Sequence, residues 1–270
     1  MDIRLRDTDT LIDILADEGE ALLSAAELAG PDASVPTCPG WRVRELVRHQ
    51  GRVHRWAGAL LSEDAPAPEG SSTVPVPTRD EEPTEWYRAG LRDLVARLRA
   101  FDPAAERWTF LPGSPSARHF WARRQAHETT VHRVDAQLAA GRRPSPIGTA
   151  AALDGIDEVL TGFHSGARSR ARSEKPVTLG LRASDVPGAE WTVRLSTEPP
   201  RVTGPGTGAG APLLGEADCL VTGPAGRLLL WLWNRDLPDG SDGCPAAPDD
   251  HLTLTGDPAP AQLWRETGGV

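Results

Sequence analysis

Apolar residues recur with a helical period through the first 170 residues and alternate with polar ones through much of the last hundred. Leu11, Ile14, Leu15, Leu22 and Leu23 share one side of a segment running from Leu11 to about Ala29, which Asp9 or Thr10 can cap. After the interruption "PDASVPTCPG", the stretch "WRVRELVRHQGRVHRWAGALL" repeats apolar positions at Val43, Leu46, Val47, Val53, Ala57, Leu60 and Leu61. Residues 63–84, rich in Pro, Ser and Glu, read as an exposed, mobile loop. "TEWYRAGLRDLVARLRAF" gives a third helix, and "ARHFWARRQAHETTVHRVDAQLAAG" a fourth that stops at Gly141. "AAALDGIDEVLTGFHSGA" adds a shorter fifth. Amphipathic helices joined by modest loops describe a bundle.

The pattern changes near "RARSEKP". "VTLGLRAS", "EWTVRLST", "ADCLVTG" and "HLTLTG" read as four strands. Pro224 opens a helix through "AGRLLLWLWNR", whose six consecutive apolar residues require burial on nearly all sides. Trp231 and Trp233 are read as core. "PAQLWRET" closes the chain. The expectation is α+β in two domains: a helical bundle over residues 1–172 and a small α+β domain over 173–270.

The chain has 270 residues, enough for a substantial core in either domain. Its net charge of −9 argues against nucleic acid as the main partner, which needs a clustered cationic surface. Nearly every cation is arginine, since Lys175 is the lone lysine. No run of 18 apolar residues suggests a membrane span, and the N-terminus lacks the pattern of a secretory signal. The three cysteines, Cys38, Cys219 and Cys244, are an odd number without metal-site spacing, so reduced thiols and a cytoplasmic location are expected. A monomer is the simplest expectation.

The chemistry starts at "QAHETTVHRVD". Glu128 and His132 lie four apart, roughly 40° around a helix, on the face that carries Trp121 and Ala139. A carboxylate turned inward there needs a partner. A divalent metal would serve, because zinc accepts histidine nitrogen and carboxylate oxygen and keeps three protein ligands in catalytic sites. The third donor must come from another helix. His49, at the edge of the second apolar stripe, is the first choice and His54 the fallback, while His119 and His127 point off the Glu128/His132 face. A plain salt bridge from Arg124 or Arg133 would neutralise Glu128 equally well. Asp135 reads either as an acceptor for a ligand histidine or as a surface charge. Cys38, before Pro39 and Gly40, reads as a turn beside the bundle rather than a nucleophile.

"VPTCPGWRVRELVRHQGRVHRW", followed by "RRQAHETTVHRVDAQLAAG", resembles the mycothiol-dependent maleylpyruvate isomerase family, and "GPAGRLLLWLWNR" resembles that family's second domain. The resemblance implies a DinB-like four-helix bundle followed by a sterol-carrier-like α+β module. By position it places the zinc ligands on His49, Glu128 and His132. It implies mycothiol, a small actinobacterial thiol, as cofactor, and an electrophilic small molecule as substrate for isomerisation or S-transfer. It also supports an arginine near the end of the second domain's helix to hold an acidic substrate. Arg235 is the choice for that catalytic role, with Arg227 the alternative. Arg235 reads equally as a cap on the helix's carbonyl end. Two other readings remain on this scaffold, a non-catalytic small-ligand binder and a hydrolase using zinc-bound water. Where the family often carries Ser or Thr after the "CPGW" tryptophan, this chain has Arg42, which forfeits a helix cap.

Overall fold

A computed structural model of the chain describes residues 3–62, 70–76, 83–210, 213–235 and 251–268. It contains two compact units, Arg6–Ser145 and a second made of Met1–Leu5 with Pro146–Val270.

The first unit is a four-helix bundle of α1 (Thr8–Ala29), α2 (Val43–Leu60), α3 (Pro83–Ala100) and α4 (Ala117–Ala139). Asp7, a little earlier than expected, caps α1 by accepting the Asp9 N–H at 3.2 Å and the Thr10 hydroxyl at 2.7 Å. Leu11, Ile12, Leu15, Leu22 and Leu23 turn inward from α1 against Leu46, Leu91, Leu94 and Trp121 of the other helices, all buried. Gly19 permits a close approach between α1 and α3, because a Cβ there would stand 2.5 Å from Leu91 Cδ2. The Tyr87 hydroxyl uses the same approach to donate to the Gly19 carbonyl at 3.1 Å. Without a capping hydroxyl, α2 begins with half of a capping box: the Glu45 carboxylate accepts the Arg42 N–H at 3.0 Å. α4 stops as its glycine predicts. Gly141 takes φ 65°, while its N–H reaches the Leu138 carbonyl and the Arg142 N–H reaches Gln137.

The expected loop at 63–84 falls largely on residues outside the described set; within it, Ser71–Thr73 form a short 3-10 turn.

The second unit is α+β. Its sheet has the order β3-β2-β1-β4-β5, built from β1 (Val177–Ala183), β2 (Glu190–Leu195), β3 (Arg201–Thr203), β4 (Cys219–Gly223) and β5 (Thr253–Gly256). β1 and β4 run parallel and the other neighbours antiparallel. The period-2 pattern buries Leu179, Leu181, Trp191, Val193, Leu195, Cys219 and Val221 on one face. The short edge strand β3 was not anticipated, because three residues after Pro199–Pro200 are too few to display an alternation. α6 (Ala225–Leu232) follows β4, and α7 (Ala259–Thr267) ends the chain.

The units divide at 145/146, not at the expected 172/173. The reason is α5 (Thr149–Asp157) with its π-helical continuation Glu158–Phe163. Its Ala152, Leu153, Ile156, Val159 and Leu160 belong to the core cluster of the sheet and α6. Arg4 joins the same unit by pairing with the buried Asp157 carboxylate at 2.8 Å. Trp231 is in that core and Trp233 packs against it, as expected.

Candidate metal centre

Seventeen of the 23 residues of α4 are buried, and among the charged ones are Arg124, His132, Arg133 and Asp135. A helix this enclosed must pair most of the polar side chains it carries. The pairings define the site.

Glu128 projects from the middle of α4 toward α2. One carboxylate oxygen, Oε1, stands 3.5 Å from His49 Nε2 and 3.5 Å from His132 Nε2. The other, Oε2, accepts a hydrogen bond from Arg124 Nη2 at 2.6 Å. The His49 and His132 rings meet edge to face with centroids 5.1 Å apart. Trp41 packs against both, at 5.0 and 6.4 Å. His132 is also held from behind, its Nδ1 lying 2.9 Å from Asp135 Oδ2.

Asp135 is fully buried and shared. Its carboxylate accepts Thr37 Oγ1 at 2.6 Å and Cys38 Sγ at 3.5 Å. The loop that supplies those donors turns at Cys38-Pro39-Gly40-Trp41, where the Trp41 N–H bonds the Cys38 carbonyl at 2.9 Å and Gly40 takes φ 84°. Pro second and Gly third is the residue pattern of a type II turn. The "CPGW" motif thus fixes a turn that sets two donors on Asp135 and an indole against both imidazoles.

The charges follow from these contacts. Burial acts to raise the Glu128 pKa, but the Arg124 guanidinium and the hydrogen bonds from His132 and His49 outweigh it and hold Glu128 well below the usual carboxylate range. Burial acts to lower His132, yet hydrogen bonding to Asp135 and Glu128 lifts it to about 9.

The donor set fits a divalent ion. One ligand atom each from His49, Glu128 and His132 lie within 4.8 Å of one another. The two nitrogens approach the same oxygen at 3.5 Å, too long for a strong hydrogen bond. Donors around tetrahedral zinc, at bond lengths near 2.0–2.1 Å, are separated by about 3.4 Å. The Asp135 contact at Nδ1 leaves Nε2 of His132 facing that space. A second group of this kind, Cys38, His132 and Asp135, shares His132; there the short bonds among Thr37, Asp135 and His132 already engage the carboxylate.

The other sequence candidates lie elsewhere. His54, the fallback donor, is fully buried, its Nε2 2.9 Å from Gln50 Nε2 and 3.0 Å from Thr129 Oγ1. His119 Nδ1 lies 3.1 Å from the Thr8 hydroxyl, and His127 is buried outside the trio. Of the two arginines expected to compete for Glu128, Arg124 takes it. Arg133 instead reaches Glu18 at 2.5 Å and the Ser145 carbonyl at 2.6 Å. Arg235 belongs to the second unit and makes the capping contacts. Its N–H closes on the Leu230 carbonyl at 2.8 Å and its guanidinium on the Trp233 carbonyl at 2.8 Å, with Asn234 at φ 60° completing the Schellman stop of α6. Among the described residues Cys38 and Cys219 form no disulfide, and Cys244 lies outside them.

One feature had no clear sequence signal. Trp56, Trp108, Phe110, Phe120 and Trp121 form an aromatic cluster two turns from the trio, with the Trp56 and Trp121 rings 5.2 Å apart. Trp108 and Phe110 come from an irregular segment that no periodicity marks.

Among the described residues, no helix is long and apolar enough to cross a membrane. The chain finds no match among curated proteins. Two crystal structures are similar over most of its length: that of the mycothiol-dependent maleylpyruvate isomerase, and that of a histidine-to-alanine mutant of the same enzyme. Each has a TM-score of 0.56 and 14% sequence identity, covering 91% of this chain and 96% of the other. At that identity the likeness establishes the fold. Residues 12–137 match the model of the mycothiol maleylpyruvate isomerase N-terminal domain. The matched stretch lies in the helical unit that holds the His49, Glu128 and His132 cluster, so it is through this unit that the chain is similar to the mycothiol maleylpyruvate isomerase family.

Proposed function

We propose that His49, Glu128 and His132 hold a divalent metal, zinc by the character of the donors, and that the site activates mycothiol or a similar small thiol for isomerisation of an electrophilic small molecule. The observation that carries this reading is the convergence of two imidazole nitrogens on one carboxylate oxygen from separate helices. When bound, such an ion supplies a position at which a thiol loses its proton near neutral pH. S-transfer shares the same first step as isomerisation, and either outcome fits the donors.

The chain's own residues have distinct tasks. Asp135, fixed by Thr37 and Cys38, keeps Nδ1 of His132 engaged so that Nε2 is offered to the ion. Arg124 occupies Oε2 of Glu128 and leaves Oε1 for the ion. Trp41 packs on both imidazoles and keeps water from that flank. One carboxylate and two neutral imidazoles leave a dication with net positive charge, which favours an anionic sulfur ligand over a neutral one.

The test is elemental analysis of the purified protein followed by incubation with mycothiol and a panel of activated alkenes, read by mass spectrometry and product isomer ratio. Near-stoichiometric zinc and thiol-dependent turnover, both lost in His132→Ala, are expected. Metal near zero, or full turnover in His132→Ala or without thiol, would overturn the proposal.

A further inference from the structure

The rim of the same α2/α4 seam carries a cation that the proposed metal chemistry does not use. Most arginines of α2 and of facing α4 have partners: Arg44 pairs with Asp32, Arg55 donates to the Trp86 carbonyl at 2.6 Å, and Arg124 pairs with Glu128. Arg52 is the exception. It is half-buried, its Nε is enclosed without a hydrogen-bond partner, and among the described residues it makes no ion pair. Holding a partly desolvated guanidinium without an anion is unfavourable. Arg48, one turn away, adds like-charge repulsion at the i, i+4 spacing. A chain of net charge −9 has carboxylates in excess, yet among the described residues none pairs with Arg52.

Position makes the vacancy useful. Arg52 lies three residues beyond His49 and four before Trp56, so about 5–6 Å of helix separates it from each, and all three fall within roughly 60° of one another around α2. Trp56 opposes Trp121 at 5.2 Å and Trp108 at 6.2 Å, and Trp108 is 40% exposed. In sequence along the seam stand the metal ligands, an unpaired cation and a partly open aromatic wall.

Resting on the reading of the trio as the reaction centre, we propose that the electrophile is an aromatic carboxylate. Its carboxylate pairs with Arg52, its ring packs against Trp56 and Trp108, and its reactive carbon is thereby directed toward the His49/Glu128/His132 end. Arginine suits this role because its two parallel donors match a carboxylate, while indole faces offer apolar area with defined stacking geometry. Arg52 is the specificity-determining residue.

The experiment is calorimetric titration of the metal-loaded and chelator-treated protein, without thiol, with three probes: 3-phenylpropionate, 3-phenylpropan-1-ol and propionate. The wild type should bind 3-phenylpropionate more tightly than either truncated probe. Arg52→Gln should weaken 3-phenylpropionate about tenfold and leave the alcohol unchanged, with Arg52→Lys in between. Trp56→Leu should weaken both ring-bearing probes. Equal binding of 3-phenylpropionate by wild type and Arg52→Gln, or propionate binding as tightly as 3-phenylpropionate, would overturn the inference. Zinc content and thiol turnover measured on the same preparations separate the two failures. Absent zinc sinks the metal reading and leaves the Arg52 comparison standing, whereas zinc and turnover without Arg52-dependent binding sink the substrate class alone.

Discussion

His132 and His54 are both buried imidazoles on the α2/α4 seam, yet their surroundings drive them in opposite directions. His132 stands between the Asp135 and Glu128 carboxylates, and although burial opposes its charge, those partners raise its pKa to about 9. His54 stands between Gln50 and Thr129 and against Tyr87, and burial presses it down to about 3. The first is surrounded by anions that a metal can share; the second is neutral, meets only neutral groups at Nε2 and keeps its buried Nδ1 without a hydrogen-bond partner. A histidine on an inward helix face is therefore a ligand candidate when the groups around it demand a cation. Burial alone does not make it one.

The largest effect that could break this contrast is on metal affinity. Glu128→Gln should lower zinc affinity by about a thousandfold, since it removes the anionic donor, whereas His54→Gln should leave affinity within about twofold. Competition with a chromophoric chelator measures both. Equal losses in the two variants would erase the distinction.

The pH dependence should also have two signs. His54 has a folded pKa near 3 against an unfolded value near 6.5, so the unfolded chain binds the extra proton. Its contribution is complete above about 6.5 and is lost as pH falls toward 3, by an amount of order several kcal/mol. In metal-free protein His132 behaves oppositely: its contribution is full below about 6.5 and is lost as pH rises through about 9. Zinc must displace that proton, so zinc affinity should climb about tenfold per pH unit up to about 9, releasing one proton per ion. Urea denaturation of metal-free wild type and His54→Gln across pH, with zinc titration in weak buffer, checks each slope. If His54→Gln shows the wild type's acid sensitivity, the assignment to His54 fails.

A smaller effect is expected at Asp135. Asp135→Asn keeps the shape but weakens the acceptor behind His132, and zinc affinity should fall by about 10–100-fold. Unchanged affinity would make Asp135 a purely structural anchor for the Thr37–Cys38 turn. Arg42→Ser supplies the missing cap at α2 and should stabilise the bundle by about 0.5 kcal/mol. Because it changes neither histidine's neighbours, both pH slopes should stay as in the wild type, which thermal melts at several pH values will show.

Much of this site was legible before any coordinates. The i, i+4 spacing of Glu128 and His132, the glycine stop at Gly141 and the turn chemistry of Cys38-Pro39-Gly40-Trp41 are local properties, and the structure displays each. Alternation marked four of five strands and missed the three-residue β3, where no period can be expressed. The fifth helix was legible as a helix and misassigned to the bundle. Its apolar residues said that it must be buried but not against what.

The chain by itself therefore determined the azimuth of each side chain around its own helix, since 3.6 residues per turn fixes that without reference to anything else. It did not determine how each helix is rotated against its neighbours. His49 and His54 are about 140° apart on α2 and both border its apolar stripe, so packing alone set one beside Glu128 and sealed the other against Thr129 and Tyr87. The same freedom settled that Arg124 takes Glu128 while Arg133 takes Glu18, and that Asp135 is buried. Spacing fixes what shares a face; the close-packed interior decides what that face meets.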